Sequence, residues 1–286
     1  MQKLLIQLDS STHPSVFDRV VAFDGGADQV MSYGGVTDDA VRDLVHGAIF
    51  TRGPKDLHNT AIFVGGTDMA VGERLLRAVT KAFFGPMRVS VMLDANGSNT
   101  TAAAAVSRLR QAAGDVRGRR VVITAGTGPV GVRAAGLFAA AGAQVVITSR
   151  KPADPALLST LQQRFGGVQA VTLTDPSQAA QVLDGAQLLL NAGPAGVCLV
   201  PRDAWAGREG LIAVADVNAV PPAGIEGVEA TDDGIRRDGV TVFGALGVGK
   251  LKMKVHKACI QKLFEKNDWV LDAEIIAQVA EKLSAR

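Results

Sequence analysis

Gly126-Thr127-Gly128-Pro129-Val130-Gly131 forms a G-x-G-x-x-G turn. Glycines at that spacing suit phosphate binding. Backbone without a Cβ approaches a pyrophosphate closely, and the first amides of a following helix point at its charge. About 20 residues beyond the first glycine, sites that prefer NAD carry Asp or Glu for the ribose 2′-hydroxyl. Here that place reads Ser149-Arg150-Lys151, with no carboxylate until Asp154. A hydroxyl, a guanidinium and an ammonium suit a 2′-phosphate, because charge-assisted bonds to phosphate are strong. The expected cofactor is NADP; the competing reading is a solvated basic turn.

Three further stretches hold polar or small residues where strands should end. Asp94-Ala95-Asn96-Gly97-Ser98-Asn99-Thr100-Thr101 follows one apolar run and precedes an alanine-rich helix. It reads as a site wall or as a plain turn and helix cap. Asn191-Ala192-Gly193-Pro194-Ala195-Gly196 follows another run, and its small residues give a flat nicotinamide ribose room to approach. Asp216-Val217-Asn218 follows a third. Ligands of open parallel sheets bind outside such strand ends. A long helix over about 247–266 carries four lysines in eight residues. At 100° per residue, Lys250 and Lys254 share one face, and Lys252 and His256 share another.

Regular elements have to place these groups. Residues 121–125 and 144–148 are apolar strand candidates around the glycine turn, with a small-residue helix over 132–141 closed by Gly142. That is strand, turn, helix, strand: the context that makes the glycine motif specific for a dinucleotide. Strands at 168–173, 187–190, 211–215 and 240–243, with helices at 155–164, 177–183 and 272–285, extend the pattern. Upstream, strands at 3–8, 29–33, 48–51, 60–64 and 89–93 alternate with helices at 14–24, 37–47 and 67–84. The first helix carries the apolar residues Phe17, Val20, Val21 and Phe23, and Thr67 is the expected cap of the third. Alternation of this kind implies a mostly parallel sheet covered by helices. The expected architecture is α/β: a Rossmann NADP-binding domain over 98–286 and an N-terminal α/β substrate domain over 1–97. The active site is expected in the interdomain cleft, with the C-terminal helix, about 268–286, packing back on the N-terminal domain.

Bulk properties narrow the function classes. The chain has 286 residues and a formal net charge of +2, which argues against a nucleic-acid binder working by bulk attraction. Cys198 and Cys259 make no metal-ligand spacing, and a reducing compartment is the simple reading. No metal is expected. The apolar run at the N-terminus is too short for a secretory signal, and no stretch has the length of a membrane span. A cytoplasmic protein is expected.

Specific strings then carry a resemblance. "PSVFD" at 14–18, "GGAD" at 25–28, "TAIFVGGTDMAVGER" at 60–74, "LDANGSNTTAAA" at 93–104, "AGTGPVG" at 125–131 and "FGALGVGKLKMKVHKACI" at 243–260 resemble the NADP-dependent methylene-tetrahydromethanopterin dehydrogenases of methylotrophic bacteria. The match is weakest over 152–185. The resemblance implies an oxidoreductase of one-carbon metabolism that moves hydride from methylene-tetrahydromethanopterin to NADP+, with methylene-tetrahydrofolate as a second candidate substrate. It implies a homo-oligomer, a trimer or a multiple of one. On this sequence it implies cofactor contacts at Gly126, Thr127, Gly128, Pro129, Val130, Gly131, Ser149, Arg150, Lys151, Asn191, Ala192, Gly193, Asp216 and Asn218. Pterin contacts are implied at Asp18, Asp94, Asn96, Thr101, Lys252 and His256, with Lys252, Asp94, Asp18 and Thr101 as the catalytic set. Because Gly249-Lys250-Leu251-Lys252 has Lys at two places, Lys250 competes with Lys252 for that role.

Other classes fit less well. A Tyr-x-x-x-Lys pair, as in short-chain dehydrogenases and folate-specific dehydrogenase/cyclohydrolases, is absent: Tyr33 is the only tyrosine, and Thr37 stands four residues on. A non-catalytic NADP-binding regulator keeps the glycine turn but has no use for the polar wall at 94–101.

Overall fold

A computed structural model describes residues 1–284. In chain order the elements are β1 (Leu4–Asp9), α1 (Val16–Asp24), β2 (Gln29–Tyr33), α2 (Asp38–Ile49), β3 (Thr60–Gly65), α3 (Met69–Ala82), β4 (Ser90–Leu93) and α4 (Ser98–Ala113). They continue as β5 (Arg120–Thr124), α5 (Pro129–Ala140), β6 (Gln144–Ser149), α6 (Pro155–Phe165), β7 (Val168–Thr172), α7 (Ala179–Val182), β8 (Leu188–Asn191) and α8 (Arg202–Trp205). The last are β9 (Ala213–Asp216), β10 (Asp233–Arg237), β11 (Val240–Phe243), α9 (Ala245–Leu263), β12 (Val270–Leu271) and α10 (Ala273–Ser284).

The chain forms two compact units. Met1–Thr100 and Met253–Val279 make the first; Thr101–Lys252 and the chain from Ala280 onward make the second. All three crossings fall inside helices, α4, α9 and α10. A single division near residue 97 is therefore replaced by a discontinuous first unit. The physical reason is β12: it pairs with β4, Val270 to Val91 and Leu271 to Met92, and completes the first sheet.

The first sheet is entirely parallel, in the order β12-β4-β3-β1-β2. Its central strands are buried along their whole length, as expected where helices cover both faces. Ile62, Val64 and Val91 pack with Val41, Val45, Ile49, Leu75 and Val79 from α2 and α3. The second sheet runs β10-β11-β9-β8-β5-β6-β7, parallel except for the β10–β11 pair. Read from β7, its six parallel strands follow the 3-2-1-4-5-6 order of dinucleotide folds, with the reversal between β5 and β8. Among the described residues, no helix is long and apolar enough to cross a membrane.

Several sequence expectations change. Residues 48–51 are not a strand: Val41, Val45, Ala48 and Ile49 form one buried helical stripe, and α2 runs on to Ile49. Asp68, not Thr67, caps α3, its side chain accepting from Val71 N–H. On α1 only Val21 and Ala22 are buried; Phe17, Val20 and Phe23 are exposed. The polar stretch after β4 is itself helical from Ser98 onward. β10 and β12 had no sequence signal, because one is charged and mostly exposed and the other has two residues.

Candidate active site

In the second unit, the glycine turn leaves the end of β5 and enters α5. Packing explains two of its glycines. A Cβ on Gly126 would lie 2.5 Å from the Cβ of Ile147, and one on Gly131 would lie 2.5 Å from the Cα of Gly126. Gly128 is different: its nearest neighbour would be the Ala125 carbonyl at 3.4 Å, so the space above its backbone is open. Pro129 holds the first helical position, where no N–H is needed. The first intrahelical bond runs from Val132 N–H to the Gly128 carbonyl at 2.9 Å, which leaves the N–H groups of Val130 and Gly131 ahead of it, the usual place for a phosphate.

The end of β6 is bonded to this turn. Gly126 N–H donates to the Thr148 carbonyl at 2.8 Å, and Ala125 N–H donates to the Thr148 hydroxyl at 3.3 Å. Ser149 is half-buried and donates its hydroxyl to the Lys151 carbonyl at 2.5 Å, while Arg150 and Lys151 are exposed. An open glycine backbone, two helix-start amides and two exposed cations at the neighbouring strand end fit a dinucleotide with a 2′-phosphate.

Three strand ends of the same sheet are tied side by side. Thr124, Asn191 and Asp216 close β5, β8 and β9 and stand opposite one another in register. The Thr124 hydroxyl donates to Asn191 Oδ1 at 2.7 Å, and Asn191 Nδ2 donates to Asp216 Oδ1 at 2.7 Å. All three are buried. Asn191 and Asp216 thus direct their side chains inward, at one another, whereas Ala192 and Gly193 are half-buried beyond them. Asn218 is buried too, donating to the Pro222 carbonyl and accepting from Val220 N–H. Beside these loops lies a cavity of about 340 Å³ lined by residues that include Cys198, Asn218, Val220, Pro222 and Glu226.

In the first unit, the carboxyl ends of β1, β3 and β4 carry buried groups. Asp94 is fully buried; its Oδ1 accepts from Thr100 N–H at 2.9 Å and its Oδ2 from the Thr100 hydroxyl at 2.6 Å. These two hydrogen bonds hold the turn at 95–97, where Asn96 is exposed in a left-handed conformation with φ 54°. His256, also fully buried, sets Nδ1 3.9 Å from Asp94 Oδ2 and stacks on Phe63 with ring centres 5.6 Å apart. Phe17, next to Asp18 in the first turn of α1, brings its ring to 6.2 Å from His256. Asp18 is half-buried. So Asp94, His256 and the start of α1 come together.

Thr101 is half-buried in the first turn of α4, and Lys252 is half-buried one turn before His256 on α9. Lys250 is exposed and ion-paired with Asp233 at 3.3 Å, which separates it from Lys252.

Sequence reasoning missed Asp9. It ends β1, is buried, and accepts from Ser11 N–H at 2.8 Å and Ser15 N–H at 3.1 Å, fixing the loop that leads into α1. The strand-end rule that singled out Asp94 applies equally to it. In the sequence Thr100 stands out only as part of a polar run, and Phe63 only as a strand residue.

A sheet in this order with a glycine turn after its first strand defines a dinucleotide-fold protein of the two-unit α/β class. Shikimate 5-dehydrogenase from Listeria monocytogenes, solved with shikimate and NAD, shares that fold, with a TM-score of 0.54 and 14% identity over 97% of this chain and 96% of that one. Sequence narrows the class further. Residues 16–96 match the model described as methylene-tetrahydromethanopterin dehydrogenase, N-terminal. Bifunctional protein MdtA of Methylorubrum extorquens is 50% identical over 286 residues, covering 99% of each chain. The NAD(P)-dependent methylenetetrahydromethanopterin dehydrogenase of the same organism is 34% identical over 274 residues, covering 92% of each. The chain belongs to the methylene-tetrahydromethanopterin dehydrogenase family.

Proposed function

We propose that this protein is an oxidoreductase that moves hydride reversibly from methylene-tetrahydromethanopterin to NADP+, giving the methenyl pterin, in one-carbon metabolism. The observation that carries the reading is the 34% identity, over 92% of both chains, to a relative named for that activity. The glycine turn and the exposed Arg150 and Lys151 support NADP as the nucleotide.

Bound NADP+ supplies the hydride acceptor. The bridge carbon of the pterin lies between two nitrogens, so its cation is delocalised over N–C–N and no proton leaves the carbon. The chain's task is therefore position and field rather than an acid–base pair. Gly126–Gly131 hold the pyrophosphate on backbone amides, and Ser149, Arg150 and Lys151 hold the 2′-phosphate. Loops 191–193 and 216–218 line the nicotinamide side. The first unit takes the pterin. Asp18 favours the developing cation or binds ring N–H groups. Lys252 binds a pterin carbonyl or orients a carboxylate, and Asn96 and Thr101 bind ring polar atoms. Asp94, committed to Thr100, acts by holding the turn that presents Asn96, and His256 buttresses it. The protein works in the cytoplasm as a homo-oligomer, a trimer or a multiple of one, which sedimentation equilibrium measures directly.

The test mixes the protein with NADP+ and methylene-tetrahydromethanopterin and follows NADPH absorbance, with methylene-tetrahydrofolate and NAD+ as parallel arms. The expected result is NADPH formation, fastest in the first arm. Absence of any nicotinamide reduction with either pterin overturns the proposal and favours a non-catalytic nucleotide binder.

A further inference from the structure

We propose that the chain of side chains Thr124, Asn191 and Asp216 is a positioning device for the nicotinamide half of the dinucleotide, acting without touching it. This rests on the NADP-binding reading above and deepens it. Each of the three is at most 1% exposed, so none reaches a ligand directly. What they reach is the backbone of the two loops that follow β8 and β9. Asn191 Oδ1 accepts from Gly193 N–H at 3.2 Å. Asp216 Oδ1 accepts from Asn218 N–H, and its Oδ2 from Ile225 N–H, each at 2.9 Å. The carboxylate thus grips its loop at both ends, residues 218 and 225.

The two loops meet at Gly224. Its carbonyl accepts from Leu199 N–H at 2.9 Å and from Val200 N–H at 3.1 Å, and a Cβ there would be driven into the Asn191 amide. Sheet register, the polar chain and both loops therefore converge on one backbone position. The donors and acceptors match: a hydroxyl gives to an amide oxygen, the amide nitrogen gives to a carboxylate, and the carboxylate takes two backbone N–H groups. Buried polar chains satisfied in this way specify one arrangement strongly. The pyrophosphate turn, by contrast, is fixed by Gly126, Gly131 and Ile147 and does not depend on the chain beyond Thr124. A fault in the polar chain should disturb one half of the dinucleotide site and spare the other.

The experiment compares two ligands on the full-length protein by calorimetry: NADP+, and 2′-phosphoadenosine 5′-diphosphoribose, which lacks the nicotinamide. Thr124→Val removes one donor at nearly constant shape, Gly224→Ala displaces the Asn191 amide without changing the chain, and Asn191→Asp sets two carboxylates face to face. Thr124→Val and Gly224→Ala keep the test open should Asn191→Asp fail to fold. The expected result is a loss of NADP+ affinity of about tenfold or more, because small misplacements in a site are costly. Affinity for the shorter ligand should stay within about twofold, a change under half a kcal/mol. Equal losses for the two ligands, or no loss for either, overturn the positioning role while leaving the NADP reading intact. Wild-type protein that binds neither ligand overturns both.

Discussion

His256 Nδ1 stands 3.9 Å from Asp94 Oδ2, and neither side chain has any exposed surface. The carboxylate takes both the N–H and the hydroxyl of Thr100, so it shapes the loop after β4 from within. Asp94→Asn offers one acceptor oxygen where two donors converge. It should lower the unfolding free energy by about 1–3 kcal/mol in urea titrations and depress kcat/KM as the turn bearing Asn96 shifts. Thr100→Val breaks the hydroxyl half of the same link while sparing the carboxylate; it should cost about 1 kcal/mol and lower kcat/KM in the same direction, by less than Asp94→Asn. A kinetic loss in Asp94→Asn with none in Thr100→Val would falsify the assignment of Asp94 to loop holding.

The glycines of the turn should separate into two kinds. Gly126→Ala and Gly131→Ala force backbone or Ile147 to move, so thermal unfolding should fall by several degrees, the consequence of about 1–3 kcal/mol of overpacking. Gly128→Ala meets ordinary contact distances and should keep the melting temperature, yet lose NADP+ binding because the methyl fills the phosphate approach. A Gly128→Ala protein with normal NADP+ affinity would place the pyrophosphate elsewhere.

Lys252 and Lys250 make a matched pair of probes. Lys250 is paired with Asp233 on the surface, an interaction worth under about 1 kcal/mol, and Lys250→Ala should leave both stability and kcat/KM almost unaltered. Lys252→Ala should lower kcat/KM by at least about tenfold with little change in stability, the signature of a lost site contact. The reverse ranking in steady-state kinetics removes Lys252 from the catalytic set.

Arg150 and Lys151 should govern nucleotide choice. Replacing both by Ala removes two charge-assisted contacts to the 2′-phosphate, each worth about 1.5–3 kcal/mol. The ratio of kcat/KM for NADP+ over NAD+ should drop by about 100-fold or more, and the NAD+ value itself should hardly move. An unchanged ratio means that the 2′-phosphate is read by other groups.

Alkaline pH offers a test of Cys259. Burial pushes its thiol pKa well up, and the nearby Asp94 carboxylate adds to the shift. Above the ordinary thiol value of 9.0, the unfolded chain gives up this proton while the folded one keeps it. The unfolded state then binds fewer protons, so stability is full below that pH and declines as pH rises through it. The slope is up to about 1.4 kcal/mol per pH unit. Cys259→Ala should flatten the alkaline limb of a urea-unfolding series relative to wild type. Parallel limbs would mean that the thiol ionises as freely in the folded protein as in the unfolded chain.

Strong local patterns made much of the molecule readable. β5, its glycine turn, α5 and β6 follow from two apolar runs around a spacing that only a tight, closely packed turn requires. The Lys252/His256 face of α9 follows from helical period alone. What escaped depends on partners distant in sequence. β12 is a strand because β4 lies beside it, and β10 because β11 does. Helix α2 absorbed a run that looked extended, because the buried stripe decided against the local β preference of Ile49 and Phe50. At the sites, the residue types were legible but not their direction. Asn191, Asp216 and Asp94 sit at strand ends as expected, yet their side chains turn into the fold to meet Thr124 and Thr100. Periodicity carries no information about which neighbour a carboxylate meets.

Because Val270 and Leu271 supply the outermost strand next to β4, residues 1–100 alone lack one strand of their own sheet. The fifth strand of that sheet is supplied only when the chain reaches Leu271. A chain cut short of residue 270 should expose the β4 edge, and limited proteolysis should cleave around Ser90–Leu93 faster than in a chain that includes β12.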